Sequence, residues 1–252
     1  MVLPRNVLCA LGAWKSLAPV ARLLRESGSG FELDEEHSQL EPDRRMMSAF
    51  DAAADRVKPS LLREDRAAIM NHRAVLYLLS PRLPVGEAQQ RSVQALALVQ
   101  ALLDGGATAL KSESSGIAHG AARWRQLAKR AAAAAATGDR LERASALYAA
   151  WVRRPIRDGA VLYSCGMHLL GEHDLELGPG EHLTEDLRWM DLLALYLLAE
   201  QSDRGLGEGE GFRQRPEGER RILRLRTCER YQPDDFAFNP YGYWQLEREP
   251  TG

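Results

Sequence analysis

The stretch Ala74-Val-Leu-Tyr-Leu-Leu-Ser80 is apolar up to its closing serine, and Pro81 and Pro84 stop it. Such a run reads as a strand with no polar face to offer water, so both of its sides must be covered. That demand rules out an exposed hairpin and asks for a sheet with helices packed on it. A chain of 252 residues is long enough to bury a core of that kind.

The rest of the sequence supplies the partners. Further strands are expected at Val7–Trp14, Phe31–Leu33, Ala107–Glu113, Ala160–Cys165 and Ile222–Cys228. Helices are expected at Leu17–Glu26, Asp43–Val57, Leu61–Met70, Gly86–Leu103, Ile117–Ala136, Arg140–Val152 and Thr184–Ala199, with Thr184 as the N-cap of the last. Strands and helices interleave, so the expected class is α+β, a mixed sheet covered by helices. No linker divides the chain, which is read as one domain, 1–252, with a flexible Gly/Glu/Arg loop at about 202–218. Ala74-Val-Leu-Tyr77 recurs as Ala160-Val-Leu-Tyr163, a hint of two related β-α-β-containing halves.

Charge and cysteine usage narrow the setting. A formal net charge of −2 gives no general attraction to nucleic acid or anionic lipid. The arginines Arg213, Arg215, Arg220, Arg221, Arg224 and Arg226 are diluted by Glu217 and Glu219, so a nucleic-acid partner is not expected. The apolar run Leu192–Ala199 is bounded by Asp191 and Glu200, too short for a membrane span. Cys9, Cys165 and Cys228 are odd in number and far apart, which suits a reducing, cytoplasmic setting. Val7–Ala13 behind Arg5 has the outline of a short signal core, but Lys15, Arg22 and Arg25 follow it, and a buried first strand is expected.

Polar chemistry concentrates in Lys111-Ser-Glu-Ser-Ser-Gly-Ile-Ala-His119, at a junction expected to run from strand to helix. Alternation puts Lys111, Glu113 and Ser115 on one face and Ser112 and Ser114 on the other. Ser115-Gly116 suits a helix start. His119 would lie one turn in, where the dipole favours neutral imidazole. In an enzyme, His119 is the general base, Ser114 or Ser115 the nucleophile or positioner, Glu113 the orienter and Lys111 the anion partner. A purely structural reading is a Lys111–Glu113 pair, a serine cap and a satisfied histidine. Neither a G-x-S-x-G elbow nor a phosphate-binding G-x-x-x-x-G-K-[ST] loop occurs.

Cys165, His168, His173 and His182 are donor types for zinc, but their spacing fits no standard site, and no metal or cofactor is expected. The aromatic tail Phe236, Phe238, Tyr241, Tyr243 and Trp244 reads either as a closing core strand or as a partner-binding patch.

With Gly105-Gly106, Lys111, Glu113, Ser114, Ser115, Gly116, His119 and Trp124 in this order, the block Arg73–Trp124 resembles an uncharacterised bacterial domain family. That family carries a (V/L)KxESSGxAH segment followed by Trp. The resemblance implies one structural unit and supplies no activity. With a compact α+β body, no standard catalytic motif, a long acidic-basic loop and an aromatic tail, the expectation is a macromolecule-binding protein with another protein as partner, an immunity-type toxin neutraliser being one form. The alternative is a hydrolase or transferase acting at Lys111–His119 on a phosphate- or carboxylate-bearing small molecule.

Overall fold

The computed structural model describes residues 2–54, 61–200 and 206–249. Its class is α+β, with the strands divided between two sheets where one mixed sheet was expected.

The first sheet contains β1 (Val7–Gly12), β2 (Glu32–Gln39), β3 (Ala74–Leu79), β4 (Ala107–Ser112) and β5 (Ile117–His119), in the order β2-β3-β1-β4-β5. Every pairing in it is antiparallel. The second contains β6 (Arg153–Asp158), β7 (Val161–Cys165), β8 (Asp174–Leu177), β9 (Gly211–Arg213), β10 (Arg220–Arg226) and β11 (Tyr243–Arg248), ordered β6-β7-β8-β11-β10-β9. Only β8 and β11 run parallel. The two AVLY strings fall in β3 and β7, but the sheets differ in strand order and direction, so the hint of related halves does not extend to topology.

Between the sheets lie α1 (Ala18–Ser27), α4 (Ala88–Asp104), α5 (Ala121–Thr137), α6 (Arg140–Trp151) and α7 (Leu183–Ala199). On the other face of the first sheet are α2 (Met46–Ala54) and α3 (Arg63–Met70). Strand alternation explains the division. Leu8, Ala10, Leu76, Leu78 and Leu110 point into the helical layer, while Cys9, Leu11, Val75 and Ala109 point toward α2 and α3. From the second sheet, Leu162, Leu175, Leu177, Leu223, Trp244 and Leu246 close the same layer from the far side.

The helices are what their sequences dictate. The alanines of α5 let it approach its neighbours closely, burying Trp124, Leu127, Ala128, Ala131 and Ala134 at helical spacing. In α6, Asp139 caps the start by accepting from the Glu142 backbone N–H at 3.0 Å. Trp124 and Trp151 pack with ring centroids 5.3 Å apart, each indole N–H donating to a backbone carbonyl, Leu110 and Ser92 respectively.

Several boundaries differ from expectation. The helix expected from Ile117 begins at Ala121, because Ile117–His119 first pairs with β4. The last helix starts at Leu183, with His182 at the cap position and no side-chain cap, so Thr184 is not the N-cap. The expected helix Asp43–Val57 begins at Met46, and its last three residues lie outside the described ones. So do residues 202–205 of the expected loop, while Gly211–Arg213 within it forms β9. The tail is divided: Trp244 and Leu246 of β11 are buried in the core, Phe238, Tyr241 and Tyr243 are half-buried, and Phe236 is exposed.

Candidate functional site

Register across the first sheet brings chemically capable side chains into one row. Asp34 pairs with Tyr77, Tyr77 with Cys9, Cys9 with Lys111, and Lys111 with Ala118. Paired residues share a face. The row therefore runs Asp34, Tyr77, Cys9, Lys111, Ala118 on the face that looks toward α2 and α3. Helices α2 and α3 cover the neighbouring row, Leu11, Val75 and Ala109. They leave the far end of the face open, and there lies a cavity of about 590 Å³.

Its floor is Val7, Val75, Tyr77, Leu79, Lys111 and Glu113. Asp34, His37 and Gln39 of β2 form one wall, with Asp43, Arg45 and Met46 at the entry to α2. Phe236 arrives from the connection between β10 and β11. That connection crosses the outer face of the second sheet, where Tyr231 and Ala237 pack on Ile156, Tyr163 and Cys165.

Charges in the cavity are paired before any ligand arrives. Lys111 Nζ lies 3.0 Å from Glu113 Oε2. Arg45 Nη2 donates to Asp43 Oδ2 at 2.8 Å, and this hydrogen bonding holds the Asp43 carboxyl below the usual range. His37 Nδ1 is 3.0 Å from Asp34 Oδ2. Burial works to raise Asp34, but hydrogen bonds from His37 prevail and lower it, while the same partner raises His37. Beneath the floor Cys9 is buried, its Sγ 4.0 Å from Met46 Sδ. Burial pushes both the Cys9 thiol and the Tyr77 hydroxyl upward, so both stay protonated at neutral pH.

The five residues expected at one site are divided. Lys111 and Glu113 reach the cavity together, as alternation requires. Ser114 Oγ accepts from the Val7 N–H at 2.9 Å and donates to the Arg5 carbonyl at 2.9 Å, which ties the hairpin tip to the start of β1. Ser115 is buried with no hydrogen bond to its hydroxyl, and the turn to Gly116 (φ +64°) ends the alternation that would have placed it beside Glu113. His119 pairs with Leu110, so it shares the opposite face from Lys111. It is buried, Nε2 3.3 Å from the Ala150 carbonyl oxygen, with its ring edge-on to Trp124. Burial lowers its pKa to about 4. His119 is thus neutral, as expected, but from desolvation and not from a helix terminus. The nucleophile–base–anion constellation proposed from sequence is not assembled.

The cysteine–histidine candidates do not converge either. Cys165 sits under Ala237 and the hairpin tip. His168 is sealed in the core, Nδ1 3.8 Å from Asp174 Oδ2. His173 packs tilted against Trp244 with centroids 5.2 Å apart, and His182 precedes α7 on the surface. Among the described residues no group of three or more His, Cys, Asp or Glu side chains is placed to hold a metal ion.

Sequence reasoning missed Asp34, His37, Asp43, Arg45, Tyr77 and Cys9. The available signal was the acidic run from Glu32 to Asp43, which becomes a cavity wall only because β2 lies beside β3. No helix among the described residues is long and apolar enough to cross a membrane. Protein-family models, curated proteins and solved structures were compared with the chain, and none matches.

Proposed function

We propose that the chain binds a small ligand in the cavity on the open face of the first sheet, and that it acts by binding and not by nucleophilic catalysis. One observation carries this: a preformed cavity of about 590 Å³ whose floor is largely apolar and whose polar groups, Lys111 and Glu113 among them, converge from four segments of chain. That volume and that mixture are those of small-molecule sites. The apolar floor supplies affinity through burial, and the fixed ion pairs supply orientation. The hydrolase or transferase reading keeps only Lys111 and Glu113 at this place. Membership of the uncharacterised family, and with it a bacterial origin, stays a proposal carried by the Lys111–Trp124 pattern.

Binding of a macromolecular partner, an immunity-type role included, is the second reading. It is favoured by Leu192 and Tyr196, exposed one turn apart on α7.

The test is an amide-resolved NMR titration with a panel of small neutral, anionic, cationic and zwitterionic compounds. At least one class is expected to shift resonances of Val7, Tyr77 and Lys111 with a dissociation constant of about 1 mM or tighter. Leu79→Trp, which fills the cavity, is expected to abolish those shifts while the fold persists. If every class leaves the wild type unmoved, or if binding survives Leu79→Trp unchanged, the proposal fails.

A further inference from the structure

The class of that ligand follows from the charges around the cavity, and the inference rests on the cavity being a small-ligand site. Among the described residues its lining holds three carboxylates, Asp34, Asp43 and Glu113, against two permanent cations, Arg45 and Lys111. The third cation, His37, is paired with Asp34, which raises its pKa, so it gives up its charge only above the usual imidazole range. With His37 neutral, one negative charge is left without a counter-charge.

The wall deepens this imbalance. From Glu32 to Asp43 the chain carries Glu32, Asp34, Glu35, Glu36, Glu41 and Asp43, and no lysine or arginine. Strand β2 is the edge of the sheet; of these acids Asp34 and Asp43 line the cavity, while Glu32 and Glu35 line a separate pocket beside α1. Arg5, which lies near Glu32 and Asp34, and Arg44 are the flanking cations. A low-dielectric cleft lined by an excess of one sign concentrates ions of the other.

The aromatic rings point the same way. Tyr77 lies in the floor and Phe236 at the rim, and the faces of such rings attract organic cations. A ligand carboxylate meets the reverse situation. Lys111 is already held by Glu113 at 3.0 Å and Arg45 by Asp43 at 2.8 Å, so an incoming anion must compete with a resident one.

We propose that the cavity takes a small organic cation, a primary ammonium or guanidinium on a short apolar stem. The charged end lies among Asp34, Glu113 and the Tyr77 ring. The stem lies over Val7, Val75 and Leu79 beneath Phe236. Lys111 and Arg45 act as positioning residues, fixing the carboxylates they pair with.

The experiment uses three probes that share one stem: n-pentylamine, n-pentanol and pentanoate. Each is titrated into the full chain at mildly alkaline pH, above the His37 titration and below that of the amine, followed by amide-resolved NMR. The amine is expected to bind at least about tenfold more tightly than either companion, a difference one unscreened charge readily supplies. Asp34→Asn is expected to weaken the amine several-fold and leave the alcohol unchanged, a readout that a general loss of structure would not give. If pentanoate or pentanol binds as tightly as the amine, the cation assignment is overturned while the small-ligand reading stands. If none of the three binds and the wider panel is also silent, the small-ligand reading falls and this inference with it.

Discussion

At His119 an imidazole is sealed between the Trp124 ring and the end of α6, with Nδ1 buried and without a hydrogen bond. Its folded-state pKa, about 4, lies below the 6.5 of a solvated ring. The unfolded chain therefore takes up a proton that the native chain refuses. Above pH 6.5 the two states do not differ through this residue, and stability is lost as pH falls from about 6.5 toward 4, by about 3 kcal/mol in all. Denaturant unfolding across that window is expected to show a falling midpoint, and His119→Leu is expected to flatten it. An unchanged slope in the variant would show that other groups carry the acid sensitivity. The sequence made the shared face of Lys111 and Glu113 readable, because it follows from local alternation, whereas the neutrality of His119 comes from tertiary burial and not from the helix terminus expected there. The sequence hid the meeting of Cys9, Tyr77 and Asp34 with Lys111, because that depends on register between strands as much as a hundred residues apart.

The joint between α3 and α5 shows how one side chain can organise two helices. Asp65 Oδ2 accepts from the Leu62 N–H at 2.9 Å, and Oδ1 accepts from the Ala121 N–H at 3.1 Å. Both are N-terminal donors that would otherwise lack a partner. The carboxylate comes so close to Gly120 that a β-carbon there would collide with it, which is why glycine precedes α5. Asp65→Ala is expected to cost about 1–2 kcal/mol. Gly120→Ala is expected to cost more in the wild type than in an Asp65→Ala background, measured as a double-mutant cycle in urea. Full additivity would separate the glycine from the cap. Helices with strong punctuation, such as α6 between Asp139 and Val152, were legible within a residue or two. The short strands β5, β6 and β9 were not. Three residues carry no periodicity of their own, and Pro155 inside β6 argues against a strand unless that strand is an edge, which β6 is.

At the scale of the molecule, one helical layer serves two sheets, and neither sheet can be removed without exposing it. The α+β class was readable from the interleaving of elements. The division into two sheets was not, since strand order rests on long-range pairing that no local pattern encodes. Strand β11 is the clearest case. It lies between β8 and β10, and Asn239 just before it donates to Asp174 Oδ2 at 2.8 Å. Truncating the chain before Phe236 is expected to separate β9–β10 from β6–β8, uncover Leu175, Leu177 and Leu223, and abolish a cooperative thermal transition. A truncated chain that still melts cooperatively, with dispersed amide resonances, would show that β11 is an accessory strand.

The position of β11 also sets a timetable for a chain made from one end. In the first sheet the earliest strand, β1, sits in the middle, and both its neighbours have been made by residue 112. That sheet can be complete by residue 119, before any strand of the second has been made. The second sheet waits for residues 243–248 to slot between strands already synthesised. Throughout that interval the leucines and tryptophans of the helical layer face water on one side. Nascent chains of this protein are therefore most vulnerable to self-association on the ribosome, and a holdase that shields that one face would be needed only until β11 emerges.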